Sequence, residues 1–414
     1  MLKRIDIRQA GARNKLLIGD LDGDGRMELV LVQGNGGIDD RYVPHQVQCI
    51  TAYDLDGHLL WQKGAPDPEP GRNGSDFPAQ IADIDGDGCN EVLCVMDGRF
   101  RILEGRSGRE KRSFALPGEM AHDCIMITNI SGHDWPSDIL LKDRYHTLWV
   151  LDRHFNLLWT HEGNPGHFPW AHDWDGDGRD EVMAGYDMLD HEGKLRWSCR
   201  GLEDHADCIW VGDVAGDGRS MIVIGGSVTV MYDADGQEIW RYSGSVESQH
   251  VALGKFRADL PGLQIAGVDR IIRGDAGDVF SETGRDALFL LDQDGRQLWK
   301  EERTTAGWLT IAETVRHWDE ERLDYILAYR RGGGVLPALY NGYMEVVTSF
   351  PVDGLAAYAD LTGAGFTHVV LHDDEALHIF ANRPGTLDAA RPGQTLKQSK
   401  RLYSSTLYPG GEYE

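Results

Sequence analysis

The sequence predicts an all-β protein built as a single β-propeller of eight blades, or of seven blades if one weak repeat does not form a blade. Three observations predict this fold. An Asp-rich segment recurs along the chain, a hairpin that ends in Trp follows several of its copies, and helix-periodic stretches with caps are nearly absent. Units of about 40 residues with four short strands have the period of propeller blades, and closing them into a ring removes exposed strand edges.

The Asp-rich segment occurs in full form three times, each time directly before an apolar strand. These copies are "GDLDGDGRMELVLV" (19–32), "ADIDGDGCNEVLCV" (82–95) and "HDWDGDGRDEV" (172–182). Degenerate copies are "TNISGHDWPSDILLK" (128–142), "GDVAGDGRSMIVIG" (212–225), "GKFRADLPGLQIAGV" (254–268), "RHWDEERLDYILAY" (316–329) and "ADLTGAGFTHVVLH" (359–372). The spacing between units is about 40 to 60 residues, which is the range expected for blades with loop insertions.

The second signature is an apolar strand, a short Asp/Gly-type turn and another strand that ends in Trp. It appears as "AYDLDGHLLW", "VLDRHFNLLW", "MLDHEGKLRW", "MYDADGQEIW" and "LLDQDGRQLW". This pattern is typical of a β-hairpin. We expect one domain over residues 1–414, in which a strand near Lys3–Ile7 completes the last blade and residues 385–414 form a C-terminal extension packed on the propeller.

Composition limits the partners and the compartment. The net charge of −26 argues against a nucleic-acid or anionic-membrane partner. The sequence has no apolar run of about 18 residues that could span a membrane. The start, "MLKRIDIRQA", lacks the apolar core of a signal peptide, and six scattered cysteines do not indicate a disulfide framework. These features predict a cytoplasmic protein, and they carry no signal for an oligomeric state.

The full Asp-rich loops place carboxylates at positions 1, 3, 5 and 9, with glycines that allow a tight backbone curl. Hard oxygen ligands on one compact loop suit Ca²⁺, and the absence of an acid at position 12 excludes an EF-hand. We expect calcium at one or more loops in a structural role; the alternative is a hydrogen-bonded turn without metal. The expected ligands are Asp20, Asp22, Asp24, Glu28, Asp83, Asp85, Asp87, Glu91, Asp173, Asp175, Asp177 and Glu181.

Chemistry is expected at the opposite face. Histidines lie where four successive inner strands begin, at His122, His167, His205 and His250. The strands that leave the Asp-rich loops run antiparallel and return to the same face. Their ends supply Lys142, Arg144, Tyr145, Tyr186, Arg270, Arg330 and Arg331. Two rows of the repeat thus predict a face rich in His, Tyr, Arg and Lys, which suits an anionic ligand such as a uronate-containing oligosaccharide.

A family resemblance points the same way. The run "AGYDMLDHEGKLRWSCRGLEDHADCIWVGDV" (184–214) resembles a blade of rhamnogalacturonan lyase-type propellers, and "ADLPGLQIAGV" (258–268) is similar to a variant of their loop, whereas residues 272–350 match poorly. The resemblance implies a lyase that cleaves a uronic-acid linkage by β-elimination. It makes His122 and Tyr186 the acid/base pair, and gives Arg144, Lys142, His167 and His205 roles in carboxylate neutralisation and substrate contact.

The remaining residues of that face, Tyr145, His250, Arg270, Arg330 and Arg331, are expected to contact substrate. Two alternatives stay open. A glycoside hydrolase could act on the same linkage, although this needs two suitably placed carboxylates. A binding propeller without chemistry could carry the same Asp-rich loops.

Overall fold

In the computed structural model, the chain forms eight successive antiparallel sheets arranged as the blades of a ring. The structure describes residues 1–35, 46–70, 78–202, 204–272, 285–303, 311–330, 334–383, 387 and 410–413. The prediction of an all-β, eight-bladed propeller is confirmed, and a single 3₁₀ turn, Arg8–Ala10, is the only helical element in these ranges. Among them no helix is long and apolar enough to cross a bilayer.

The first four blades follow one another along the chain. Blade 1 consists of β2 (Asn14–Gly19), β3 (Glu28–Gly34), β4 (Val47–Tyr53) and β5 (Leu59–Gly64). Blade 2 consists of β6 (Ala79–Ala82), β7 (Glu91–Met96), β8 (Arg99–Glu104) and β9 (Glu110–Ala115). Blade 3 consists of β10 (Cys124–Thr128), β11 (Asp138–Lys142), β12 (Thr147–Leu151) and β13 (Leu157–Glu162). Blade 4 consists of β14 (Trp170–His172), β15 (Glu181–Ala184), β16 (Asp187–Leu189) and β17 (Leu195–Ser198).

The last four blades include two strands from distant parts of the chain, β1 and β33. Blade 5 consists of β18 (Cys208–Gly212), β19 (Met221–Gly225), β20 (Thr229–Tyr232) and β21 (Glu238–Tyr242), with β33 (Gly411–Tyr413) added. Blade 6 consists of β22 (Ser248–Gly254), β23 (Gln264–Ile272), β24 (Arg285–Leu291) and β25 (Gln297–Arg303). Blade 7 consists of β26 (Ile311–Val315), β27 (Tyr325–Tyr329), β28 (Ala338–Tyr340) and β29 (Val346–Ser349). Blade 8 consists of β30 (Leu355–Ala359), β31 (His368–His372), β32 (Ala376–Phe380) and β1 (Lys3–Asp6).

The N-terminal strand closes the ring. β1 pairs antiparallel with β32, with Lys3 opposite Ile379 and Asp6 opposite Ala376, and it forms the outer edge of blade 8. The first strand of each blade is the innermost one, because these strands contact one another from blade to blade. Apolar side chains that alternate along the strands fill the space between neighbouring blades, as in the cluster shared by blades 3, 4 and 5.

The Trp that ends each hairpin signature links its blade to the next one. Trp159 on β13 donates its indole N–H to the carbonyl oxygen of His191, 3.0 Å away in the β16–β17 turn, and its ring lies against Gly193. Four more Trp residues make the same contact with the following blade: Trp61 with Gly105, Trp197 with Ala234, Trp240 with Gln293 and Trp299 with Gly342. Between blades 2 and 3, Phe114 stacks on Phe155 instead, with ring centroids 4.7 Å apart.

The ring has two distinct faces. Each inner strand begins at one face, which we call the His face, and ends at the other, which we call the Asp-loop face because the Asp-rich loops follow it. The antiparallel second strand returns to the His face. The segments between blades and the turns between second and third strands therefore meet at the His face, as the sequence predicts.

Candidate functional site

Five side chains from blades 3, 4 and 5 meet at the His face: Tyr145, His167, Tyr186, His205 and Asp207, which we call the His-face cluster. His167 precedes β14, and His205 and Asp207 precede β18. The Nε2 atoms of His167 and His205 are 2.9 Å apart. An Oδ1 atom of Asp207 lies 3.4 Å from Nε2 of His167 and 3.6 Å from Nε2 of His205.

The two tyrosines enclose this pair of imidazoles. The ring of Tyr145, in the turn after β11, lies 4.7 Å from the ring of His205 and 5.6 Å from that of His167. The hydroxyl of Tyr186, in the turn between β15 and β16, donates a hydrogen bond of 3.0 Å to the backbone carbonyl of His205. A Cβ atom at Gly226 would lie 2.4 Å from that hydroxyl, so a glycine there makes room for Tyr186.

Charges set the protonation states of this cluster. Burial disfavours the charged form of His205, but Asp207 and Asp204 outweigh this effect and raise the pKa of His205 above its ordinary value. The Nδ1 atom of His205 lies 2.7 Å from Asp204. Burial also raises the pKa of Tyr186, with a further contribution from the negative charge of Asp207, so Tyr186 keeps its proton well above neutral pH.

A buried ion-pair network supports the cluster from blade 3. The carboxylate of Asp123 accepts hydrogen bonds from the ammonium of Lys142 and from the guanidinium of Arg144, the latter at 3.1 Å. Lys142 is fully buried and also donates to the carbonyl of Asp143. The guanidinium of Arg144 lies 5.6 Å from the ring centroid of Tyr145, which connects the network to the imidazoles.

The other residues predicted for this face have different surroundings. His122 is fully buried, with Nε2 3.5 Å from Sδ of Met120. His250 is fully buried within β22. Arg270 forms an ion pair with Glu247 of its own blade, and Arg330 is buried at the end of β27. Arg331 lies outside the described residues. Because Asp123 and Glu247 partner cations of this face, it is less positive than the sequence suggests.

The sequence reasoning missed two residues, Asp123 and Asp207. Each is the last residue before an inner strand that begins with Cys, and each donates its backbone N–H to the end of the second strand, at Lys142 and Gly225 respectively. They are therefore equivalent positions in blades 3 and 5. The signal was present in "HDC" (122–124) and "HADC" (205–208), but an argument that sought cations for an anionic ligand gave no weight to carboxylates.

The His-face cluster also has the donor set of a metal site. One ligand atom each from His167, His205 and Asp207 lies within 4.8 Å of the others. Two imidazole nitrogens and one carboxylate oxygen suit a divalent transition metal and leave further coordination positions open. The same three groups can alternatively share protons, so this geometry admits both a metal-bound and a metal-free site.

The full Asp-rich loops converge differently from the prediction. In blade 1, one oxygen each of Asp20, Asp22 and Glu28 lies within 4.8 Å of the others, and the equivalent sets in blades 2 and 4 are Asp83, Asp85 and Glu91, and Asp173, Asp175 and Glu181. The carboxylates at position 5, Asp24, Asp87 and Asp177, are not in these sets, and each accepts the backbone N–H two residues ahead, as Asp22 at position 3 also does. Three carboxylates per loop thus converge on one point, rather than four.

Basic side chains enter two of these loops. The ammonium of Lys111 on β9 lies 2.7 Å from Asp85 and 2.8 Å from Glu91, and Arg196 on β17 lies 3.4 Å from Asp175. Lys111 and Arg196 each lie at a β-bulge in the outer strand of their blade. In blade 1 the residue at the same bulge is Leu60. Among the described residues, no Lys or Arg side chain contacts the blade 1 carboxylates. Burial, with the neighbouring carboxylates, raises the pKa of Glu28 to about 8.

In the degenerate loops other groups replace these carboxylates. In blade 6 the ammonium of Lys255 donates to the carbonyls of Leu260 and Gly262, inside the curl itself. In blade 8, His368 stands where the full loops have Glu and accepts the backbone N–H of Leu361 through Nδ1, at 3.3 Å. Burial lowers the pKa of His368, which favours this neutral acceptor. In these two loops, groups other than the carboxylates make the hydrogen bonds of the turn.

No protein-family model matches the chain. Two curated relatives from Bacillus subtilis (strain 168) are similar in sequence: the rhamnogalacturonan exolyase YesX, 27% identical, and the rhamnogalacturonan endolyase YesW, 26% identical. Each match covers 49% of this chain and 42% of the relative, so the chain matches under half the length of either protein.

Solved structures extend the likeness to the whole propeller. The crystal structure of YesX superimposes with a TM-score of 0.70 at 17% identity, over 99% of this chain and 80% of that one. The Bacillus licheniformis rhamnogalacturonan lyase PL11 gives a TM-score of 0.69 at 16% identity, over 100% of this chain and 81% of that one. At these identities the structural likeness concerns the fold. In sequence over about half of its length, and in fold over nearly all of it, the chain is similar to the β-propeller of rhamnogalacturonan lyases.

Proposed function

We propose that the protein is a lyase that cleaves a uronic-acid-containing oligosaccharide of the rhamnose/galacturonate or rhamnose/glucuronate type by β-elimination. The observation that carries the proposal is the His-face cluster, in which two imidazoles 2.9 Å apart share a carboxylate and adjoin Tyr186 and Arg144. The sequence similarity to a rhamnogalacturonan exolyase and an endolyase supports the substrate class. Because those two names differ, the similarity does not choose between an exo and an endo mode.

The reaction makes three demands on the site. A base removes the proton at C5 of the uronate, the electron pair forms the C4–C5 double bond while the C4–O bond breaks, and an acid protonates the leaving oxygen. The carboxylate must be neutralised so that the C5 proton becomes acidic. Each proton-transfer residue typically contributes about 10²–10⁴-fold to the rate.

The geometry suits His205 as the base and Tyr186 as the acid. The side chain of His205 is partly exposed, and Asp204 holds its Nδ1. Nε2 is therefore the atom proposed to accept the proton, in exchange for its contact with Nε2 of His167. Tyr186 has a raised pKa and therefore holds a proton that it can donate. His122, which the sequence analysis paired with Tyr186, is fully buried, so we do not assign it a proton-transfer role.

Arg144 is the proposed partner of the uronate carboxylate. A guanidinium can bind a carboxylate through two parallel hydrogen bonds. The contact of Arg144 with Asp123 uses NH1, and Lys142 shares the charge of the same Asp123. Lys142 is fully buried, so its proposed role is to hold Asp123 and, through it, Arg144. A divalent cation held by His167, His205 and Asp207 would be an alternative means of neutralising the carboxylate, and His205 could then not act as the base.

The test is a screen of rhamnogalacturonan-derived and glucuronate-containing oligosaccharides, followed by the ultraviolet absorbance of the conjugated 4,5-unsaturated uronate. We expect absorbance to grow with one of these classes, and His205→Asn and Tyr186→Phe to lower the rate by about 10²–10⁴-fold. The control is Lys194→Met, which breaks an exposed ion pair with Glu192 in the β16–β17 turn. This variant should keep the wild-type rate. New reducing ends without absorbance would indicate a hydrolase, and binding without either product would indicate a binding propeller.

A further inference from the structure

The axial channel of the propeller contains a segment of the chain itself. β33 pairs in parallel with β18, the inner strand of blade 5, with Gly411 opposite Trp210 and Tyr413 opposite Gly212. A strand added to the inner side of an inner strand is displaced toward the axis by about 4.8 Å, the usual spacing of paired strands. β33 also contacts β22, the inner strand of blade 6. It therefore occupies the space that the inner strands enclose.

Side chains of two other blades anchor this strand. The hydroxyl of Tyr413 donates to Oδ2 of Asp324 in blade 7 at 2.7 Å, and the same oxygen accepts the backbone N–H of Lys255 in blade 6. The guanidinium of Arg316 lies 4.6 Å from the ring centroid of Tyr413. Glu412 pairs with Nδ1 of His172 in blade 4 at 3.0 Å. The strand thus connects blades 4, 5, 6 and 7 across the channel.

Gly410 and Gly411, which precede Glu412 and Tyr413, allow this segment to lie close to β18. A Cβ atom at Gly410 would lie 2.6 Å from the carbonyl oxygen of Ile209, and one at Gly411 would lie 3.1 Å from the ring of Trp210. Ile209 is two residues past Asp207, which corresponds to roughly 7 Å along an extended chain. Gly410 and Gly411 therefore lie just deeper in the channel than the His-face cluster.

We propose that Gly411–Tyr413 is the floor of the candidate cleft and determines its specificity. With this strand in place, the channel is blind, so an acidic oligosaccharide enters and leaves at the His face and can extend only a short distance toward the Asp-loop face. The strand limits the number of sugar units that contribute to binding. The sugar part of this inference rests on the proposed function, whereas the closure of the channel does not.

Closure can be measured without any activity, through the buried ring of Trp210. A chain that ends at Pro409 lacks the strand, and a chain that ends at Tyr413 keeps it as the control. Each is prepared with Trp210 and with Trp210→Phe, so that the difference in acrylamide quenching reports on Trp210 alone. We expect stronger quenching of Trp210 in the shorter chain. Equal quenching in the two chains would overturn the proposal.

Specificity is measured on uronate oligosaccharides of increasing length. We expect kcat/KM to level off at a short length in the chain that ends at Tyr413, and to continue to rise with length in the shorter chain. An unchanged length profile in a chain whose Trp210 has become exposed would overturn the specificity role. If no oligosaccharide reacts with either chain, the proposed function fails and the sugar part fails with it, while the quenching result still decides closure.

A second variant covers the case in which the shorter chain does not fold. The double substitution Glu412→Ala and Tyr413→Ala in the full chain removes both anchoring side chains and keeps the length. It should show the same rise in Trp210 quenching and the same change in length profile. Wild-type behaviour in both measurements would contradict the proposal that this strand is the floor of the cleft.

Discussion

The Nε2 atom of His205 lies 2.9 Å from the Nε2 atom of His167, across the boundary between blades 4 and 5. At this distance the two nitrogens can share one proton, but two protonated imidazoles would repel each other. Asp207, near both rings, stabilises one positive charge at this point. Asp207 therefore favours one protonated imidazole at this boundary and does not favour two.

The first prediction concerns Asp207 and pH. Asp207 raises the pKa of His205, so the variant Asp207→Asn should lower that pKa. If His205 is the base, the acidic limb of the rate profile moves to lower pH. Titration of the His205 ring by NMR measures the same shift without substrate.

The raised pKa of His205 also makes the stability of the fold depend on pH. A histidine whose folded pKa is raised stabilises the fold below its unfolded pKa, and this contribution disappears as pH rises through the folded pKa. His205→Asn should therefore cost more stability at acidic pH than at alkaline pH in denaturant titrations. A cost that is the same at every pH, together with an unmoved NMR titration in Asp207→Asn, would contradict the assignment.

The second prediction concerns the buried pair of Lys142 and Asp123. Lys142→Met leaves the carboxylate of Asp123 buried with less compensation, and removing one partner of a buried pair costs about 3–5 kcal/mol. Because Arg144 still contacts Asp123, we expect the lower end of this range. Urea denaturation measures the change in the free energy of unfolding.

Two companion variants test the physical cause. Adding Asp123→Asn to Lys142→Met should recover part of the lost stability, because it removes the uncompensated charge. Lys194→Met breaks an exposed pair with Glu192 and should cost under about 1 kcal/mol. Equal effects of Lys142→Met and Lys194→Met would show that burial does not determine the cost.

The third prediction concerns the contact of Trp159 with the turn of blade 4. Gly193 has φ +78°, and a Cβ atom there would lie 2.6 Å from the Trp159 ring. Gly193→Ala should therefore combine backbone strain with a displaced ring. Gly216 has φ +74° with open space around it, so Gly216→Ala reports the strain alone.

We expect Gly193→Ala to lower the free energy of unfolding by about 1–3 kcal/mol more than Gly216→Ala does, which is the usual cost of overpacking. Equal costs would mean that the ring moves aside freely and that the link between blades is weak. The Gly216 variant thus serves as the matched control.

The fourth prediction concerns calcium and Lys111. In blade 2 the ammonium of Lys111 contacts Asp85 and Glu91, whereas Leu60 fills the matching place in blade 1. We expect calcium at the blade 1 loop, with Lys111 replacing it in blade 2. Lys111→Leu should add one bound Ca²⁺ and Leu60→Lys should remove one, as counted by calorimetry.

Protonation of Glu28 gives this prediction a pH dependence. Its pKa of about 8 means that calcium must displace a proton at neutral pH, so the affinity of blade 1 should increase as pH rises toward and past that value. A chelator should lower the Tm of the wild type more at alkaline than at acidic pH. An unchanged count of bound Ca²⁺ in both swap variants would contradict the replacement.

The repeat made the fold predictable. Eight Asp-rich units and the Trp hairpins specify both the strands and their order, and the sequence also predicts that a strand near Lys3–Ile7 completes the last blade. The C-terminal strand was not predictable in position, because three residues carry no periodic pattern and their parallel partner lies far away in sequence.

The candidate site was predictable only in part. Repeat positions brought Tyr145, His167, Tyr186 and His205 to one face, since equivalent positions in successive blades converge. Alternation along a strand does not give the depth of a side chain at its end, so the complete burial of Lys142 could not be predicted. That lysine shares Asp123 with Arg144.

The seam between β1 and β32 has a consequence for synthesis on the ribosome. Lys3–Asp6 emerges before every other strand of the ring, yet its partner in blade 8 is made only after the strands of the other seven blades. Until then blade 1 has no neighbour on one side, and the nascent protein is an open arc. Seven blades can assemble in order as they emerge, but the circle forms only when β1 pairs with β32.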